Sequence, residues 1–151
     1  MRNHSSIRWT ALALGTAGLL AFASHSQANG TVTLKAVMIH ASNQPAALDR
    51  RIENIEYKLR RVFKFKHYKH VGKGNITLSL PGKGTIALGS GYSLEVEASP
   101  AGKGRVRTRV HWRKGGSTLL RTSTVVSRSV PTVLGGASHG SGKMIVTLVV
   151  E

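Results

Sequence analysis

Glu95 and Glu97 are the residues of this chain whose type and spacing come nearest to a reaction centre. On an extended backbone, side chains two positions apart leave the same face about 7 Å from each other. That separation lies within the span over which paired carboxylates hydrolyse glycosides. The alternate arginines between Arg105 and Arg113 offer a simpler use for the two acids, as partners across a hairpin running from Tyr92 to Arg113. Cross-strand pairs of opposite charge contribute roughly 0.2–1 kcal/mol each. We therefore expect Glu95 and Glu97 to balance arginines, with no catalytic residue assigned.

Three other constellations suggest chemistry and fall short of it. His67 and His70 have the spacing of a metal pair on a helix, but on a strand an odd separation sends them to opposite faces. No metal site is expected. Gly136-Ala137-Ser138-His139-Gly140-Ser141-Gly142-Lys143 has the glycine content of a phosphate-binding loop. Ala137 stands where that pattern requires its first glycine, Met144 where it requires a hydroxyl, and an apolar strand follows where a helix should. Neither a nucleotide nor another cofactor is expected. His40, His67, His70, His111 and His139 accompany many serines, yet hydrolysis by serine needs a base and an orienting carboxylate brought together in space. Nothing in the sequence alone brings them together, so the chain reads as a non-enzyme. Cysteine is absent, which removes disulfides, thiolate metal sites and a cysteine nucleophile.

The positive signal is cationic. In Arg105-Val106-Arg107-Thr108-Arg109-Val110-His111-Trp112-Arg113 the odd positions are basic and the even ones β-branched or aromatic. Alternation with period two predicts a strand with one charged face and one buried face. Arg105, Arg107, Arg109 and Arg113 are the first candidate anion-binding group. Lys64, Lys66 and Lys69, with Lys73 beyond them, are the second. Arg50, Arg51, Lys58, Arg60 and Arg61 load an intervening helix. Overall, 22 Lys and Arg stand against 6 Asp and Glu, a formal charge of +16. Surfaces of this kind attract polyanions by releasing counterions. Aromatics are scarce and Trp112 points inward, so a base-stacking platform and specific nucleic-acid recognition are not expected.

The elements that must position these residues follow from hydrophobic periodicity. Thr31 to His40 reads as a strand with Val32, Leu34, Ala36 and Met38 on one face and Val37 and Ile39 on the other. Leu48, Ile52, Ile55, Leu59 and Val62 recur at helical spacing, with Asp49 as N-cap and Arg60 and Arg61 in the last turn. After Phe63 all segments read as short strands: Phe63 to Gly72, Asn75 to Leu80, Thr85 to Leu88, Tyr92 to Ala98, the arginine strand, Thr118 to Ser127, Val130 to Leu134 and Met144 to Val150. Pro81 to Gly84, Ser90-Gly91, Ser99 to Gly104 and Lys114 to Gly116 supply turns, and Gly135 to Gly142 reads as a flexible loop. The continuous apolar run Met144 to Val150 predicts a central strand. The sum is a mainly β, α+β fold: an antiparallel β-sandwich or barrel-like domain of seven to nine strands, with one helix after the first.

Met1 to Arg8 is polar and basic, Trp9 to Ala23 is apolar, and Ser26-Gln27-Ala28 ends in small residues. That order is the layout of a secretory signal peptide cut after Ala28, and an apolar run of about 15 residues is shorter than the ~20 needed to span a bilayer. We expect a signal peptide over 1–28 and one β-rich domain over 29–151, exported to the periplasm or the exterior.

Leu34-Lys35-Ala36-Val37-Met38-Ile39-His40-Ala41-Ser42-Asn43, with Leu48-Asp49 and Tyr57-Lys58-Leu59-Arg60-Arg61-Val62-Phe63, resembles a segment of uncharacterised exported bacterial β-rich envelope proteins. The resemblance continues through Lys64-Phe65-Lys66 and His67-Tyr68. It implies a small envelope protein with a single β-rich domain and carries over no site residue. The expected function is a non-catalytic binding or accessory module of the envelope. Its partner would be an anionic envelope polymer or lipid head groups. The alternative is a structural subunit of a secretion or appendage assembly, in which the final apolar strand pairs with another envelope protein.

Overall fold

The computed structural model describes residues 30–151, so the expected signal peptide lies outside the described residues. Eight strands form two antiparallel sheets. The first sheet has the order β2-β1-β8-β7 and the second β3-β4-β5-β6. The strands are β1 (Thr31–Ser42), β2 (His67–Ser79), β3 (Gly82–Gly89), β4 (Tyr92–Pro100), β5 (Val106–Lys114), β6 (Ser117–Val126), β7 (Thr132–His139) and β8 (Gly142–Val150). A 3-10 turn (Arg50–Ile52) leads into the helix α1 (Glu53–Val62) between β1 and β2. No helix among the described residues is long and apolar enough to cross a membrane.

Alternation explains the sandwich. Val32, Leu34, Ala36 and Met38 of β1 meet Met144, Val146, Leu148 and Val150 of β8 in the main core. The second sheet adds Ile86, Leu94, Val96, Val110 and the fully buried Trp112. The opposite face of β1 and β8 is also apolar, and α1 covers it. Ile52, Ile55 and Leu59 pack on Ile39, Ala41, Tyr68 and Ile145 in a second cluster. Burying a side chain of that size stabilises by roughly 1.5–3 kcal/mol. The final strand is central, as its apolar run requires, and both its edges are paired, with β1 and with β7.

Four details depart from the sequence reading, each for a physical reason. First, Leu48 and Val62 are about two-thirds exposed, so the buried stripe is shorter than its periodicity. Asp49 caps the 3-10 turn through Arg51 N, and the α-helix begins only at Glu53. Asp49 also accepts the His70 amide, tying the turn to β2. Second, residues 63–66 are a connection, and β2 then runs from His67 through Gly72 and Gly74 without a break. Those glycines do not turn the chain. A Cβ at Gly72 would lie 2.0 Å from the Leu88 carbonyl oxygen, and one at Gly74 2.2 Å from that of Ala87, so bare backbone lets β3 close over β2.

Third, the strand pairing slips between Met38 and Ile39, leaving Val71 as the extra residue of β2. The bulge reverses the alternation, placing Tyr68 and His70 on the helix side. Fourth, Gly135 to His139 is not a flexible loop but the second half of β7, paired with β8 through its own register slip. Gly135 has φ of 148°, open to glycine, and Leu120 fills the space beside it.

Candidate anion-binding face

The outer face of the second sheet is built from the residues that alternation turns away from the core. On β5 these are Arg107, Arg109, His111 and Arg113, with Val106, Thr108, Val110 and Trp112 buried beneath them. Register then sets the rows across the sheet. Lys83 of β3, Glu97 of β4, Arg109 of β5 and Ser123 of β6 form one row. Thr85, Glu95, His111 and Arg121 form the next. Ser99, Arg107 and Val125 form a third. Five cations (Lys83, Arg107, Arg109, Arg113 and Arg121) thus surround two carboxylates on a face that no other element among the described residues covers.

Both carboxylates are engaged, as expected from the hairpin. Arg109 Nη1 donates to Glu97 at 2.6 Å and Arg113 Nη1 to Glu95 at 2.8 Å. The Arg113 hydrogen bond, followed by its charge and by His111, holds the Glu95 carboxyl below its ordinary pKa. Arg107, Lys83 and Arg105 have no carboxylate within ion-pair distance among the described residues. Two contiguous hollows of about 480 and 400 Å³ lie on this face and share Lys83, Glu97 and Arg109 in their walls. Arg121 borders the first and Arg107 the second.

His111 knits the second row together. Its Nδ1 lies 3.1 Å from Glu95 Oε2, and its Nε2 lies 2.8 Å from Thr118 Oγ1 and 3.1 Å from Arg121 Nε. Because Arg121 Nε can only donate, Nε2 accepts and Nδ1 carries the proton toward Glu95. Hydroxyl, imidazole and carboxylate therefore stand in the order of a hydrolytic relay. Nε2 accepts from Thr118 and Arg121 together, so both ring nitrogens are committed to a fixed network.

The seven cations expected to bind anions do not form one site. Arg105, Arg107, Arg109 and Arg113 do lie along one strand and its approach. Arg105 precedes β5 in the exposed loop, where its backbone closes a turn with Ala101 and Gly102. Arg113 is half-buried, spends one nitrogen on Glu95, and leaves its Nε buried without a partner among the described residues. Lys64 and Lys66 are exposed in the connection after α1, on the other sheet's side; the Lys66 backbone is held by Asn43 and Arg60. Lys69 lies on β2 at the end of the sandwich.

Sequence reasoning missed Lys83, Thr118 and Arg121. Their signal was the register of two hairpins. For β6 that register passes through a slip between Trp112 and Arg113, which counting residues cannot locate. No group of three or more His, Asp or Glu that could hold a metal occurs among the described residues. Comparisons with protein-family models, curated proteins and solved structures return no match to this chain.

Proposed function

We propose that this protein is a non-catalytic exported envelope protein that holds an anionic polymer of the envelope against the outer face of β3-β4-β5-β6. The observation that carries this reading is the row structure of that face: Arg107 and Arg109 exposed side by side, with Lys83 and Arg121 at their flanks and two shared hollows between them. Repeated cations at strand spacing meet a polymer of repeated anions at several points at once, and each contact releases counterions. Glu97 and Glu95 engage Arg109 and Arg113 in the free protein, so an anionic polymer competes with them for those two guanidiniums while Arg107 and Lys83 are met directly. Catalysis has no part in this reading, because the His111 imidazole is tied between a guanidinium and a carboxylate.

The test is the triple variant Arg105→Gln, Arg107→Gln, Arg109→Gln on a heparin column, with anionic vesicles alongside. The salt needed for elution is expected to fall, with vesicle binding weak for both proteins. Unchanged elution overturns the assignment of this face, and strong vesicle binding lost in the variant replaces the polymer by lipid head groups.

A second reading, a subunit of an envelope assembly, draws on a different observation. β8 offers no free edge, but β6 is an edge strand of ten residues with Val125 about two-fifths exposed. An unpaired edge can accept a strand from another chain. Light scattering at high concentration that shows only monomer counts against self-assembly through it.

A further inference from the structure

The end of the sandwich that carries the β3–β4, β5–β6 and β7–β8 turns opens into a pocket of about 330 Å³. Its wall gathers nitrogen bases from four strands: His40 of β1, Lys69 of β2, Lys114 of β5 and His139 of β7. Ser90 and Tyr92 stand beside them, and no carboxylate lines it. The chain builds this cluster by identifiable means. The bulge at Val71 sends Tyr68 under the helix and His70 toward the 3-10 turn, and leaves Lys69 opposite His40 in the register. Gly142 lets the His40 ring lie against bare backbone, since a Cβ there would come within 3.0 Å of His40 Nε2 and 2.2 Å of the Ala41 carbonyl oxygen. The His40 and His139 rings meet edge to face, with centroids 5.6 Å apart. Lys114 Nζ sits 4.9 Å from the centre of the Tyr92 ring.

We propose that this pocket binds a tetrahedral oxyanion of the sulfate or phosphate-ester class, at a site separate from the arginine face. Converging cations with no counter-charge create a positive potential that a dianion neutralises, while two imidazoles, two ammonium groups and the Ser90 hydroxyl supply donors. Lys69 and Lys114 oppose a metal cation in the same place. Burial, then His139, then Lys69, hold the His40 pKa below its ordinary value. The groups facing His40 are Lys69, His139, Lys114 and Tyr92. Lys143 lies on the helix side, over the Phe63 ring. A bound oxyanion offsets the local positive charge and raises the His40 pKa, so binding takes up a proton and tightens as pH falls.

The test is a proton NMR titration of the histidine ring resonances of the full chain, in sodium sulfate and in sodium chloride at equal ionic strength. Sulfate stays dianionic between pH 5 and 8, so any pH dependence belongs to the protein. Sulfate is expected to raise the His40 titration midpoint and to bind more tightly at low pH, by up to about tenfold per pH unit while one proton is taken up. The double variant Lys69→Met, Lys114→Met alters exposed side chains, leaves the core intact, and is expected to abolish the shift. Arg107→Gln with Arg109→Gln is expected to preserve it. Identical titrations in sulfate and chloride, or a sulfate shift that survives in the lysine double variant, overturn the proposal. Glycerol phosphate and phosphatidylglycerol vesicles separate the two sources of a phosphate group. The soluble ester is expected to reproduce the sulfate shift, and a response to vesicles alone overturns the small-ion assignment.

Discussion

The outer sides of the two sheets begin from the same alternation and end differently. On the first sheet, the outward positions of β1 and β8 include Ile39, Ala41 and Ile145, and α1 lies across them. On the second, the outward positions of β4 and β5 are Glu95, Glu97, Arg107, Arg109, His111 and Arg113, and solvent lies across them. Cations occur on both sides, so charge alone does not distinguish them. Arg51 of the 3-10 turn is bound to Asp49 and Arg60 of α1 to Glu56, and the lysines that follow are spread along a connection. On the open sheet the backbone spaces the cations regularly and presents them together. The same alternation thus gives one sheet an outer face buried beneath α1 and the other an exposed charged face, on which the proposed function places recognition.

The largest effect that can break this comparison is on folding. Leu59→Ala removes a fully buried side chain from beneath the helix and is expected to cost about 2–5 kcal/mol in urea denaturation. Arg107→Gln, on the open face, is expected to change stability by less than ~0.5 kcal/mol. Similar costs for the two would erase the distinction.

Binding should show the reverse pattern. Arg107→Gln, Arg109→Gln, Arg121→Gln together are expected to lower the slope of log affinity for heparin against log salt by roughly one per cation that contacts the polymer. The triple Arg50→Gln, Arg51→Gln, Arg61→Gln, in the 3-10 turn and α1, is expected to leave that slope near its original value, and an equal loss in both triples sinks the assignment.

A smaller effect sharpens the role of the acids. Glu97→Gln releases Arg109 from an exposed pair, so stability should change by less than ~1 kcal/mol while retention on heparin increases. Lower retention would mean that the carboxylate positions Arg109 for its partner.

Smallest is the dependence on pH. His40 and His70 both have pKa values below the ordinary 6.5, burial being the first cause in each case. Below about pH 6.5 the unfolded chain therefore binds more protons than the folded one, and stability falls as pH decreases through that range. Thermal unfolding is expected at a lower temperature at pH 5.5 than at 7.5, with the difference reduced in a His40→Gln, His70→Gln variant. A midpoint that rises on acidification contradicts this.

Much of this architecture was legible in the residues because one simple rhythm survives in β1, β4, β5 and β8. Val106 to Arg113 shows its face assignments without ambiguity, and the balancing of Glu95 and Glu97 by arginines across the hairpin followed from it; which arginine meets which acid is set by the register. The rhythm failed where glycine interrupts it. Gly72 and Gly74 read as a break and Gly135 to Gly142 as a loop, whereas Gly72, Gly74 and 135–139 are strand, with bare backbone at Gly72, Gly74 and Gly135 admitting a neighbour. Leu48 and Val62 kept the helical period but lie at the frayed ends of the buried stripe. The members of the open face from β3 and β6, Lys83 and Arg121, depend on register, and that of β6 hides behind a slip. The pocket at His40 needed three separate turns brought to one end, which is information only the folded chain holds.

The most direct measurement is a map of backbone amide shifts on adding a heparin-derived oligosaccharide to the folded domain. Changes are expected to concentrate at Lys83, Arg107, Arg109 and Arg121 and their row neighbours, with α1 unaffected. Changes centred on Arg50, Arg51 and Arg61, or spread evenly over every exposed cation, would contradict recognition by the open face.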